Sequence, residues 1–292
     1  MCRLFVNIFV INLIFIPALT AQNLLQYRLK IGDSITINQQ ATQDIAQDEA
    51  GKPHNIQNIL EENYTFRVMA KTDSTYILNF KFNSFKLKTT SNKFGVLADI
   101  DTNKALVVED TEGRVFSGLT AAVLEIEMAK SGKILRVSGT ENMINSMISQ
   151  AGIEDEFTKQ LMIESMKSDF GSTSLSNSFE QLTHIYPENP NPSTTSWTNT
   201  FTGDFNTVNT WAIDKITDAI FLNAKCTLSM NIQDEHTNLL LNGTQQIKVI
   251  ANKVNGFIIE MTVTAKAQSA KDLNNPERQP TIINSKTTYK IQ

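Results

Sequence analysis

From residue 27 onward, apolar and polar residues alternate along most of the chain, the period of strands with one buried face. Tyr27, Leu29 and Ile31 alternate with polar neighbours, Gly32-Asp33 interrupts, and Ile35 and Ile37 resume. Tyr64, Phe66, Val68 and Ala70 form a second alternation that breaks at Thr72-Asp73-Ser74 and returns as Tyr76, Leu78, Phe80 and Phe82, which predicts a hairpin. Ser131-Gly132 separates Leu124, Ile126 and Met128 from Ile134 and Val137 and predicts another. Later, Leu222, Ala224, Cys226, Leu228 and Met230, then Phe257, Ile259, Met261, Val263 and Ala265, and finally Thr287, Tyr289 and Ile291 repeat the pattern.

The period changes in the middle of the chain. Met143, Ile144, Met147, Ile148 and Ala151 recur at helical spacing behind an N-cap at Thr140, and Gly152 ends the helix. Phe157, Leu161, Met162, Met166 and Phe170 are expected on one face of a second helix that stops at Gly171, and a shorter helix around Phe179, Leu182 and Ile185 meets Pro187. Three of the seven prolines fall between 187 and 192, marking a loop and a boundary. The expected organisation is a signal peptide at 1–21, a first β unit at 22–139, a helical insertion at 140–186 and a second β unit at 187–292. The fold class is α+β, predominantly antiparallel β.

An internal repeat supports two related units. Tyr64 to Ile77 aligns without gaps with Asn209 to Leu222, placing Thr65, Thr72 and Asp73 on Thr210, Thr217 and Asp218. Phe66 falls on Trp211, Val68 on Ile213 and Tyr76 on Phe221, so the apolar face and the Thr-Asp turn stay in register; Gly32-Asp33 has an upstream counterpart in Gly203-Asp204. Neither unit alone covers both faces of its sheet, so the two are expected to bury those faces jointly, as a sandwich or as one continuous sheet.

Composition adds location and excludes one class of partner. The 41% hydrophobic content with 12 Gly and 7 Pro is that of a folded chain, and a net charge of −4 gives no basic footprint for nucleic acid. Arg3, the apolar run from Leu4 to Ile16 and the small residues ending at Ala21 have the layout of a cleavable secretory signal, which predicts a secreted or periplasmic protein cleaved near Ala21. No later stretch has the ~18 apolar residues of a membrane-spanning helix. With Cys2 inside the signal, Cys226 is left alone, on an apolar face where it is expected to pack as core.

Candidate chemistry is sparse. His54, His184 and His236 belong to no zinc spacing and are expected at the surface. The chain has no G-x-S-x-G turn, no phosphate-binding glycine loop and no feature that calls for a cofactor. Asp99, Asp101, Asn103 and Asp110 occupy positions one, three, five and twelve of a calcium-type loop, but Lys104 stands where the turn needs Gly, so a solvated loop leading into a strand at 106–108 is the preferred reading. Met143, Met147, Phe157, Met162, Met166 and Phe170 make a deformable apolar helix surface. Packing on the sheet explains that surface most simply; the sharper reading is a lid over a cavity for a lipid or other hydrophobic ligand.

The R-L-K-I-G-D-S segment at 28–34, Y-T-F-R-V at 64–68, S-G-K-I-L-R-V-S-G at 131–139 before the helices, and Y-P-E-N-P ahead of Trp197 together resemble a family of uncharacterised secreted bacterial proteins, a domain of unknown function. The layout is more distantly similar to periplasmic lipoprotein carriers, whose curved sheet is lidded by helices. The family resemblance implies no catalytic residues. The expected function is an exported non-enzymatic binding or structural protein of the bacterial cell envelope, whose partner is a hydrophobic ligand held between sheet and helices or an envelope protein. The alternative is a hydrolase built from loop carboxylates that folding brings together.

Overall fold

The computed structural model describes residues 25–49, 51–105, 107, 110–191, 193–202, 205–233, 238–270 and 279–292. The expected signal segment, Gly203-Asp204 and His236 lie outside them. Four strands open the chain, β1 (Ser34–Glu49), β2 (Lys52–Lys71), β3 (Thr75–Ser91) and β4 (Gly95–Asp101). Helix α1 (Thr111–Ala121) and the hairpin β5 (Leu124–Ala129) and β6 (Ile134–Ser138) follow, then α2 (Thr140–Ala151), α3 (Glu156–Phe170) and α4 (Ser172–Thr183). The remainder is all strand: β7 (Ser196–Phe201), β8 (Phe205–Ile216), β9 (Ala219–Gln233), β10 (Asn238–Asn252), β11 (Ile258–Ser269) and β12 (Ile282–Ile291).

All twelve strands form one antiparallel sheet in the order β6-β5-β3-β2-β1-β12-β11-β10-β9-β8-β7, with β4 paired to β3 beside β5. The two expected units therefore join as a continuous sheet through β1 and β12, where Ile37 faces Ile291 and Ile45 faces Ile283. Alternation delivers the core: Ile35, Ile37, Tyr64, Phe66, Val68, Tyr76, Leu78 and Phe80 are buried on one face, continued by Leu222, Ala224, Cys226 and Met261 on the distal strands. The repeat is visible in three dimensions. Thr72-Asp73 turns β2 into β3 and Thr217-Asp218 turns β8 into β9; each hairpin shifts register just before its turn, between Val68 and Ala70 in one and between Ile213 and Lys215 in the other. These bulges fall at aligned positions of the repeat.

Hydrogen bonds at one end require the sheet to curl. Tyr27 N donates to Lys130 O at 2.8 Å, and Arg28 N donates to Asn255 O at 2.7 Å. Lys130 follows β5 and Asn255 precedes β11, which a flat sheet would separate by five strand spacings, about 24 Å at ~4.8 Å each. Neighbouring Cα atoms are only ~3.8 Å apart, so adjacent residues reach both turns only because the sheet bends until those ends meet. Tyr186 repeats the connection, donating from its N–H to Ser131 O at 3.3 Å and from its hydroxyl to Gly256 O at 2.7 Å. The Arg28 guanidinium binds the carbonyls of Val254, Lys253 and Gln26 at 3.0, 2.8 and 2.8 Å. Fully buried Tyr27 donates its hydroxyl to Thr183 O at 2.8 Å and packs edge-on against Tyr186. Beneath that contact lies Gly132 at φ +94, where a Cβ would come within 1.8 Å of Thr183 O.

Helices cover the concave face. Phe179 of α4 packs on Phe80 and Phe66 with ring centroids 4.6 and 6.1 Å away, and Phe116 of α1 stacks on Phe85 at 4.8 Å. Helix α4 also serves the two free sheet edges: Glu180 accepts from Ile134 N of β6 at 2.9 Å, and the residue after the helix, His184, accepts from Asn199 Nδ2 of β7 at 2.5 Å. On β6 a backbone edge group that would otherwise invite another strand is thus occupied, whereas on β7 the contact is made by a buried side chain. Among the described residues no helix is long and apolar enough to cross a membrane.

Several expectations change. Residues 27–31 form no strand: Tyr27 and Leu29 are buried, but Tyr27 N bonds to a turn, Leu29 N bonds to the Tyr76 hydroxyl, and Ile31 is exposed. Helix α1 was not expected, because Gly113, Gly118, Ser117 and two threonines give it little intrinsic propensity. Asp110 caps it, accepting from Gly113 N at 2.7 Å, so position twelve of the supposed calcium loop has a structural duty; Val107 is in no strand. Asp99 pairs with Lys104 at 3.3 Å and Asp101 with Lys86 at 3.5 Å. The N-cap of α2 is Gly139, one residue before Thr140. At the start of β11, Ile258 and the preceding Phe257 are both buried and Ile259 is exposed, because the register slips opposite Ile250 and Ala251. His54 and His184 are buried; His54 bonds Ser91 Oγ at 2.9 Å and Gln47 Nε2 at 3.2 Å.

Two substitutions test this architecture by denaturant unfolding. Arg28→Ala, which removes charge-assisted bonds to three carbonyls, is expected to lower stability by about 1.5–3 kcal/mol and to speed amide exchange in the 253–256 turn. Gly118→Ala, whose Cβ would sit 2.5 Å from Met147 Cα where α1 crosses α2, is expected to cost about 1–3 kcal/mol through overpacking.

Candidate ligand-binding cleft

The helical layer does not seal the concave face completely. Helix α3 contributes no fully buried residue: Met162, Met166 and Phe170 rest half-buried on the core, while Phe157 is 72% exposed and Leu161 56% exposed. Each residue turns the helix by about 100°, so positions 162, 166 and 170 share one narrow stripe and 157 and 161 lie on the other side. Between α3, α4 and strands β1, β2, β3 and β12 remains a cleft of about 300 Å³, at the small end of ligand pockets.

Phe80, Phe82 and Tyr64 from the sheet and Leu175, Phe179 and Leu182 from α4 form its apolar wall. Phe170 of α3 closes one side, and Asp169, Ser178 and Gln181 stand exposed around the rim. Across the sheet runs a row of inward-facing cross-strand neighbours, Tyr289 on β12, Gln39 on β1 and Glu62 on β2, with Tyr64 donating its hydroxyl to Gln39 Oε1 at 3.2 Å. Glu62 is the exception in this lining. Among the described residues no group hydrogen-bonds or ion-pairs with its carboxylate, and desolvation by burial pushes its pKa up to about 7. The register puts Lys86, Lys286 and Lys290 on the opposite parity, towards the convex face, and although Glu62 also borders the groove there, none of them pairs with its carboxylate. There Lys86 pairs with Asp101 at 3.5 Å and Lys290 with Glu260 at 3.6 Å. A wider convex groove of about 750 Å³ lies among those residues; its internally paired charges mark a solvated sheet face.

Of the six residues expected to line a cavity, Phe170 reaches this cleft. Met143 and Met147 are completely buried in the core, Met162 and Met166 pack against it, and Phe157 points away. Sequence reasoning missed Glu62 and Gln39, although the pattern held the signal: Leu60, Glu62, Tyr64, Phe66 and Val68 share one parity, and a carboxylate interrupts it. Cys226 is buried beside Gln245, and burial lifts its thiol to about 11, which keeps it protonated at neutral pH. Buried His184 is held down to about 4 by desolvation and stays neutral. Among the described residues no group of three or more His, Cys, Asp or Glu side chains is placed to hold a metal ion.

The geometry defines a class, a curled antiparallel sheet with helices over an internal aromatic cleft. A solved structure of lipovitellin, described for its lipid–protein interactions, shares this fold with a TM-score of 0.52 at 11% identity, over 91% of this chain and 25% of its own; this chain spans about a quarter of lipovitellin's length. Matching residues 73–258, the chain belongs to a family of unknown function, DUF6263. DynF from the dynemicin pathway of Micromonospora chersina aligns over 91% of this chain and 82% of its own, with 6% identity and a TM-score of 0.22. An outer membrane channel from Pseudomonas putida F1 aligns over 91% and 98%, with 6% identity and a TM-score of 0.28; both scores are too low to carry an argument. No curated protein sequence matches this chain significantly.

The unpaired carboxylate has a thermodynamic signature. A folded-state pKa above the unfolded value means that stability is fully present below about pH 4.5 and is lost as pH rises through about 7. Thermal melts of Glu62→Gln and wild type across pH 5–8 should diverge on the alkaline side, the variant being more stable at pH 8 by on the order of 1–2 kcal/mol after allowance for partial exposure. Parallel curves would show that Glu62 is not desolvated.

Proposed function

We propose that this protein is an exported, non-enzymatic binding protein of the cell envelope that holds a hydrophobic ligand in the cleft between its sheet and helices α3 and α4. The carrying observation is the aromatic wall of Tyr64, Phe80, Phe82 and Phe179 beneath α3, the helix with no fully buried residue. Apolar surface left beneath a lightly anchored helix suits a ligand that enters by displacing that helix. The fold shared with lipovitellin supports this reading as analogy, since a fold does not determine a ligand. Export, to the periplasm or the exterior, rests on the Arg3-to-Ala21 segment.

The hydrolase alternative draws on one observation, that Glu62 and Asp169 line the same cleft. It would be favoured by turnover of a chromogenic ester or glycoside that Glu62→Gln abolishes.

Binding is tested with the neutral fluorophore N-phenyl-1-naphthylamine, whose emission rises in apolar surroundings. One molecule per chain at low micromolar Kd is expected for the purified protein. Ser178→Trp, at an exposed rim position where the fold tolerates bulk, should fill the mouth and weaken binding at least about tenfold, or ~1.4 kcal/mol. Absence of saturable binding, or identical binding by the blocked variant, would remove the cleft as a ligand site.

A further inference from the structure

We propose that the cleft selects an amphiphile with an ammonium head and an apolar tail, and that Glu62 receives the head. This deepens the binding reading above and rests on it. The lining combines six aromatic rings, those of Tyr64, Phe80, Phe82, Phe170, Phe179 and Tyr289, with two carboxylates, Glu62 and Asp169, and includes no Lys, Arg or His. Such a wall is attractive to a positive charge and repels a negative one: ring faces carry negative potential, and a carboxylate in apolar surroundings gains most from a counter-ion. An anionic headgroup would instead stand against Glu62 with no lining cation to offset the repulsion.

Position strengthens the assignment. Glu62 lies within the lining while Asp169 is exposed at the rim, so the two mark a path from solvent to the interior. The titratable groups facing Glu62 across the cleft are Tyr64, Tyr289 and Asp169, each neutral or negative, so the protein itself supplies no positive partner there. The same carboxylate that weakens the empty fold above neutral pH is the group a bound ammonium would hold ionised. The apolar tail has the remaining wall, Leu60, Leu175 and Leu182 together with the phenyl rings.

The experiment is competition at pH 8, below micellar concentrations, of dodecylammonium, dodecanol and dodecanoate against N-phenyl-1-naphthylamine bound to the full chain. Dodecylammonium should bind at least about tenfold more tightly than dodecanol, the value of one charge-assisted hydrogen bond, and dodecanoate should bind most weakly. In Glu62→Gln the ammonium-to-dodecanol ratio should fall to about one. In Glu61→Gln, which removes the same charge from the convex face of the same strand, the ratio should persist. A ratio that survives in Glu62→Gln, one that drops equally in Glu61→Gln, or tightest binding by dodecanoate overturns the ammonium assignment. If the fluorophore and dodecanol bind but the three heads are not distinguished, only this inference falls; if neither the fluorophore nor any amphiphile binds, the binding reading falls with it.

Discussion

The architecture depends on a short bridge between distant parts of one sheet. Adjacent backbone amides at Tyr27 and Arg28 bind turns that a flat sheet would hold about 24 Å apart, and Tyr186 makes the same span from the other side. A sheet this wide twists on its own, but its twist does not specify which turns meet. The bridge does, and with it come the burial of Tyr27, the seat of Thr183 over Gly132 and the placement of α4 across the free edges of β6 and β7. The cleft follows in turn. Its floor is the face that the curl makes concave, and its roof is the helical layer whose end is fixed at Thr183.

Much of this was legible in the residues. Period-two alternation identified the hairpins and the buried parity, and the aligned Thr-Asp turns anticipated two hairpins that share even the position of a register shift. Strictly local signals failed where long-range bonding decided the outcome. Tyr27 and Leu29 alternate as a strand does, but Tyr27 N and Arg28 N bond to turns 100 and more residues away, and Leu29 N bonds to the Tyr76 side chain rather than to a neighbouring strand's backbone. Helix α1 forms against its own propensity because Val115 and Leu119 are buried and Asp110 caps it. The six-residue helix surface looked uniform in sequence because spacing reports a face without saying what lies opposite; Met143 and Met147 meet core, Phe157 meets solvent, and Phe170 meets the cleft. Glu62 could have been found, since a charge at an inward position is the anomaly that alternation exposes.

That anomaly matters because folding alone gives no reason for it. A carboxylate among aromatic rings with no described counter-charge disfavours the folded state at the pH where most proteins work, and a glutamine would relieve it. Elsewhere the same sheet treats its charges conventionally, pairing Lys86 with Asp101 and Lys290 with Glu260 on the convex side. The contrast between the two faces locates the unusual chemistry of this protein more sharply than any short motif does, and it does so within a family that has no assigned activity.

The pairing of β1 with β12 has a bearing on how such a chain comes together. Asn38 and Gln292, 254 residues apart in the chain, are hydrogen-bonded at the middle of the sheet. Local hairpins can form as soon as they are made, yet the seam that turns two half-sheets into one waits for the far strand, a long-range closure of the kind that slows folding. Until that seam closes, each half-sheet ends in an unpaired edge, β1 in one and β12 in the other, so the middle of the finished sheet is the last part of it to lose its exposed hydrogen-bonding groups.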